Sequence, residues 1–165
     1  MRITKRSNIA MRVLMYCAVQ PGRLATKAEV AARCKTSESH LAQIINQLAQ
    51  LGYLETQRGR NGGVTLGRPA GEIVIGDVFR DIEAGYTAAE CFADVDNSCP
   101  LTEACRLREA IAAAAEAFFA HLDTITLDAL VCDNIALERI LAPAGCGTTR
   151  MDVAAAKPAL RHFSS

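Results

Sequence analysis

The sequence predicts a mostly α-helical chain: a winged helix-turn-helix with a two-stranded wing, followed by a long C-terminal helix suited to dimerisation. Three observations carry that prediction. Two short helical patterns meet at a tight polar turn around Thr36. A glycine-rich hairpin, Arg58-Gly59-Arg60-Asn61-Gly62-Gly63, follows directly. Finally, Leu107, Ile111, Ala114, Ala115, Phe118 and Leu122 form one apolar stripe that is longer than a winged domain needs.

Each element has its own local reason. Ile9, Val13, Tyr16 and Cys17 recur at helical spacing, and Pro21-Gly22 ends that helix. Thr26 with Glu29 three residues on is a capping-box signature for a second helix reaching about Cys34. Thr36 or Ser37 caps a third, whose core face is Leu41, Ile44, Ile45, Leu48 and Leu51 and which stops at Gly52. Residues 53–57 and 64–66 read as strands on either side of the hairpin turn, and residues 75–83 as a short helix. The long helix is expected over 102–123, and Thr126 caps a last short one containing Leu127, Leu130 and Val131.

The chain has 165 residues, half of them hydrophobic and 22% charged, with Gly and Pro together at 16. Such a composition excludes a disordered, collagenous or low-complexity protein. No apolar run approaches the roughly 20 residues of a membrane span, and Arg12 interrupts the only candidate for a signal peptide. The expectation is a cytoplasmic protein that does not engage a membrane. A net charge of zero conceals a segregation: residues 1–70 carry +8, residues 71–140 carry −10 and residues 141–165 carry +2. A basic half of that size favours a polyanion, with double-stranded DNA the leading candidate. Mutual packing of two oppositely charged halves is the alternative.

In a helix-turn-helix the first residues of the second helix enter the major groove. Here these include Ser37, Ser39, His40 and Gln43, which carry donors and acceptors able to reach base edges or phosphates, beside Glu38. Arg58 and Arg60 flank a glycine at the wing tip, placed for phosphates or the minor groove. Lys5 and Arg6, with Arg12, stand on or before the first helix and suit phosphate positioning.

Seven cysteines, an odd number in a chain without an export signal, argue against a disulfide framework. Cys17, Cys34 and Cys132 lie among apolar residues and read as packing thiols, whereas Cys146 falls in the tail without a role. The remaining three, Cys91, Cys99 and Cys105, are separated by seven and five residues. That is not the paired short spacing of a zinc ribbon. Three thiols on one segment suit an iron–sulfur cluster, with zinc and unmetallated thiols as alternatives. Arg106 and Arg108 would stabilise thiolates or an anionic cluster there. A thiol- or metal-dependent enzyme is the competing class, although no nucleophile–base pair, phosphate loop or cofactor fingerprint accompanies the trio.

Taken together, Met1-Arg2-Ile3-Thr4-Lys5, Ile44-Ile45-Asn46-Gln47-Leu48, the Arg58-to-Val64 wing and the Cys91, Cys99, Cys105 trio followed by Arg106-Leu107 resemble the Rrf-type iron–sulfur transcriptional regulators over residues 1–141. The resemblance implies winged-helix homodimers on a palindromic operator. It also implies a cluster held by Cys91, Cys99 and Cys105, of the [4Fe–4S] rather than the [2Fe–2S] type. Ala104-Cys105-Arg106-Leu107-Arg108 and the wing resemble the nitric-oxide-sensitive repressors of that family, while residues 1–18 resemble its iron-responsive repressors. Asn8, a poor iron ligand, stands where some members supply an aspartate as fourth ligand. The expected organisation is a DNA-binding winged helix-turn-helix over 1–83, a cluster-bearing cysteine loop over 84–106, a dimerisation helix with a short terminal helix over 107–141, and a disordered tail over 142–165.

Overall fold

The computed structural model describes residues 3–60, 62–83, 92, 99–101 and 104–141. The expected tail, Cys91 and Asn61 lie outside them. Helix α1 spans Lys5–Ala18, one turn earlier than its apolar stripe suggests, because the Thr4 hydroxyl caps it by accepting the Ser7 N–H at 3.3 Å. Thr26 caps α2 (Lys27–Cys34) and Ser37 caps α3 (Glu38–Gln50). The turn between α2 and α3 is made by Lys35 at φ +50°, whose N–H returns to the α2 carbonyls, and so reverses the chain within three residues.

Four side chains of α3, Leu41, Ile44, Ile45 and Leu48, are completely buried. At roughly 1.5–3 kcal/mol each, they outweigh the ~1 kcal/mol of the Ser37 cap in setting which face of α3 turns outward. Strands β1 (Leu54–Gln57) and β2 (Gly63–Leu66) pair antiparallel, with Leu54 opposite Leu66 and Gln57 opposite Gly63. The hairpin grows out of α3: the Tyr53 N–H reaches the Leu48 carbonyl at 2.9 Å, and the Gly67 N–H reaches Tyr53 at 3.0 Å. Its other edge is pinned by Ala25, which exchanges both backbone hydrogen bonds with Val64 at 3.0 and 2.8 Å. Helix α3 and the hairpin are therefore one hydrogen-bonded unit.

A single 3-10 turn (Ala70–Glu72) leads to α4 (Ile75–Ile82), and α5 (Arg106–Asp123) is the longest helix of the described residues. It begins at Arg106, four residues later than the sequence suggests. Arg80 ties α4 to the end of α5: its guanidinium forms a bidentate pair with Asp123 at 2.8 and 2.5 Å and lies 4.7 Å from the Phe119 ring centroid. Phe79 meets Phe118 edge-on at 6.4 Å.

After α5 the chain returns to the core. Val74 and Thr126 form a bridge, Leu127 of α6 (Leu127–Val131) is completely buried, and a further helix not anticipated from the sequence, α7 (Ile135–Leu141), ends on the buried Leu141. Gln20 and Arg33 donate to the last carbonyls of α7. Cys17 and Cys34 are packing thiols as expected, but Cys132 is exposed. The α6 helix stops at Val131 and Asp133 turns the chain at φ +56°, which carries Cys132 out of the apolar layer its neighbours suggest. Among the described residues no helix is long and apolar enough to cross a membrane.

Candidate nucleic-acid interface and cysteine segment

Burial of the α3 core face leaves the opposite face outward. Ser37, Ser39 and Gln43 are exposed there and His40 is half-buried. Ser37 spends its hydroxyl on the His40 N–H at 3.4 Å and stands 3.4 Å from the Ser39 hydroxyl, so its first duty is to hold the start of the helix. Asn46, also exposed, completes the row with Ser39 and Gln43. The i, i+4, i+7 spacing would have revealed it.

Arg58 and Arg60 are exposed at the wing tip. Gly59 between them adopts φ +110°, a conformation that a Cβ would strain, and its carbonyl accepts the Gly62 N–H at 3.0 Å to close the turn. The paired arginines thus sit on a built turn.

Lys5 and Arg6 are exposed in the first turn of α1, where no acidic residue accompanies them. A cation in that position opposes the helix dipole, so neither is there to stabilise the helix. Arg6 reaches across to α3, its Nε donating to Gln47 Oε1 at 2.7 Å. Arg12, by contrast, donates to the Cys34 carbonyl at 3.2 Å and caps the C-terminus of α2. Beneath this surface, Glu83 at the end of α4 accepts hydrogen bonds from Thr4 and Ser7. Burial alone would raise its pKa, but these bonds outweigh that and leave it below the ordinary carboxylate value.

Of the cysteine trio, Cys99 and Cys105 are half-buried. Cys105 is the residue that precedes the first turn of α5, with no side-chain cap bond of its own, and its carbonyl accepts the Arg108 N–H at 3.1 Å. The Arg108 guanidinium lies 5.5 Å from the centroid of the Phe92 ring, so a fixed positive charge stands close to the start of α5. Cys91 is outside the described residues, and among those described no three His, Cys, Asp or Glu side chains gather as metal ligands. In the core, burial pushes the thiol pKa of Cys17 up to about 12 and that of Cys34 up to about 11.

Residues 3–133 match the Rrf2 family, described as iron-dependent transcriptional regulators. The chain belongs to the Rrf2 family. This Rrf2 regulator is 42% identical over 142 residues to the HTH-type transcriptional regulator NsrR of Geobacillus kaustophilus, covering 86% of this chain and 97% of that protein. It is 44% identical over 131 residues to protein aau3 of Rhizobium meliloti, covering 79% and 85%. Among solved structures, IscR of T. potens superposes with a TM-score of 0.63 at 21% identity over 79% of this chain and 86% of that one. CymR of B. subtilis does so with 0.61 at 23% identity over 79% and 96%. These two establish the mostly helical winged fold. The Rrf2 chain is a transcriptional regulator that binds DNA, and the enzyme alternative falls with that assignment.

Proposed function

We propose that this Rrf2 regulator is an NsrR-like homodimeric repressor whose affinity for a palindromic operator is governed by an iron–sulfur cluster on Cys91, Cys99 and Cys105. The observation that carries the reading is the division of the cysteines. Cys17 and Cys34 are sealed in the core, whereas Cys99 and Cys105 are only half-buried and Cys105 immediately precedes α5, the helix that carries the Arg108 cation. Soft, accessible cysteine sulfurs, one of them at the positive end of an 18-residue helix, are a fitting donor set for an anionic cluster. A cluster held there would supply iron for nitric oxide to react with, the signal implied by the likeness of the wing and of residues 104–108.

The protein's own part is to hold DNA. Ser39, His40 and Gln43 face the major groove, with Ser37 ordering the helix start, and Arg58, Arg60, Lys5 and Arg6 take phosphates. The α5 helix has no buried residue, and Leu107 is 66% exposed. A second copy covering this face sets the two α3 helices at a half-site spacing of roughly 34–36 Å. Winged unit, cysteine segment and dimer helix follow in that order, at residues 1–83, 84–106 and 107–141. The family's description as iron-dependent favours iron supply as a second candidate signal at the same site.

Anaerobic purification with iron, sulfide and zinc analysis tests the reading. A brown protein with iron and acid-labile sulfide, most simply [4Fe–4S], is expected. Stoichiometric zinc without sulfide would sink it.

A further inference from the structure

Arg6 stands out in the sequence only by its charge, but the structure sets it against a partner on another helix. Its Nε donates to Gln47 Oε1 at 2.7 Å across 41 residues of sequence, from the first turn of α1 to the last third of α3. Gln47 is half-buried and therefore confined, whereas Arg6 is exposed. Among the described residues the two terminal nitrogens of Arg6 make no hydrogen bond. A guanidinium held by Nε presents both remaining NH2 groups on one side, the fork that matches phosphate oxygens.

We infer that Gln47 is a positioning residue for DNA binding: it fixes Arg6 beside the recognition helix so that the Arg6 fork meets a backbone phosphate as α3 enters the major groove. The inference rests on the DNA-binding reading above. Three facts converge on it. Arg6 gains nothing from the α1 dipole; its charge favours the ionised Glu83 carboxylate, and its guanidinium is placed by Gln47 on α3. Its side chain has four rotatable bonds, whose freedom would otherwise be given up on binding, and the Gln47 amide removes part of that cost in advance. Finally, the anchor is on α3 itself, so the phosphate grip and the recognition helix move together. Sequence selectivity stays with Ser39, His40 and Gln43, because a phosphate is the same at every base pair.

The test uses the full chain and a fluorescent random-sequence duplex of about 30 base pairs, titrated over a salt series. Gln47→Met keeps length and helix preference but removes the acceptor. It should retain the wild-type Tm, weaken duplex binding by about two- to tenfold and lower the salt slope. Arg6→Ala should weaken binding at least as much and lower the slope by about 0.9 for each phosphate it no longer neutralises. In the Arg6→Ala background, adding Gln47→Met should change nothing further. If Gln47→Met weakens binding equally with or without Arg6, Gln47 touches DNA itself or supports the fold, and the inference is wrong. If Arg6→Ala leaves affinity and slope unchanged while Arg58→Ala alters both, the inference fails and the DNA-binding reading stands. A wild-type chain that binds no duplex at any salt overturns both.

Discussion

Glu83 and Thr4 meet across 79 residues of sequence: the Glu83 carboxylate accepts the Thr4 backbone N–H at 3.1 Å and the Thr4 hydroxyl at 2.7 Å, and Ser7 donates to the same oxygen. The first turn of α1, which carries Lys5 and Arg6, is thereby fastened to the end of α4. Ser7 is buried, and its hydroxyl is satisfied there by donating to the Glu83 carboxylate.

Glu83→Gln should therefore destabilise the chain by about 1 to 2 kcal/mol at pH 7, since hydrogen bonds to an ionised acceptor are the stronger ones. The folded-state pKa is lowered from the ordinary 4.5. The carboxylate's contribution is thus fully present above that value and is lost as pH falls through the depressed one. Urea unfolding of both proteins should show a gap that narrows below about pH 4.5. A gap unchanged down to about pH 3 would mean that the ionised form is not what Thr4 and Ser7 hold.

Gly63→Ala should loosen the wing. A Cβ there would lie 2.7 Å from the Ala25 carbonyl oxygen and 3.1 Å from the Ala25 N and C, all backbone atoms that can retreat only by breaking the Ala25–Val64 bridge. A loss of about 1–3 kcal/mol is expected, with weaker DNA binding. Gly71→Ala, where nothing lies within 4 Å of the added carbon, is the control and should be close to neutral.

Replacing Arg58 and Arg60 together by Ala should weaken binding to operator and random duplex alike. The plot of log affinity against log salt should flatten by about 0.9 for each phosphate left without its arginine. Both side chains are exposed, so thermal stability should stay within about 0.5 kcal/mol of wild type. An unaltered salt slope would take the wing off the DNA.

The two classes of cysteine should separate experimentally. Cys99→Ser should abolish bound iron and sulfide and leave a folded chain with the Tm of cluster-free wild type, because Cys99 is only half-buried. Cys17→Ser should retain iron but cost about 1–3 kcal/mol, since it places a hydroxyl in a fully apolar core. The reverse pattern would move the candidate cluster site away from the start of α5.

Leu107→Glu should shift the protein from dimer to monomer in sedimentation velocity while its helicity is preserved. At 66% exposure the side chain contributes little to the single chain, so any large effect must come from a second copy. A persistent dimer would place the interface elsewhere, and the exposed Ile135 and Ile140 of α7 would be the next residues to change.

What the sequence determined by itself is what neighbours in the chain decide. Thr26 and Ser37 cap α2 and α3 because the groups they satisfy are three residues away, the α3 stripe names its buried face, and the glycines around Arg60 impose the hairpin turn. The candidate DNA residues on α3 and the wing were legible for the same reason. Tertiary structure alone brought Glu83 to Thr4, Arg6 to Gln47 and Ala25 to Val64, and it turned Cys132 outward and set α7 on the core. A bond between residues 41 or 79 positions apart leaves no period in the sequence, because either partner alone is an ordinary polar side chain on a helix surface. Only the packing of the buried aliphatic faces, which carries most of the folding free energy, selects which of those polar groups come within reach.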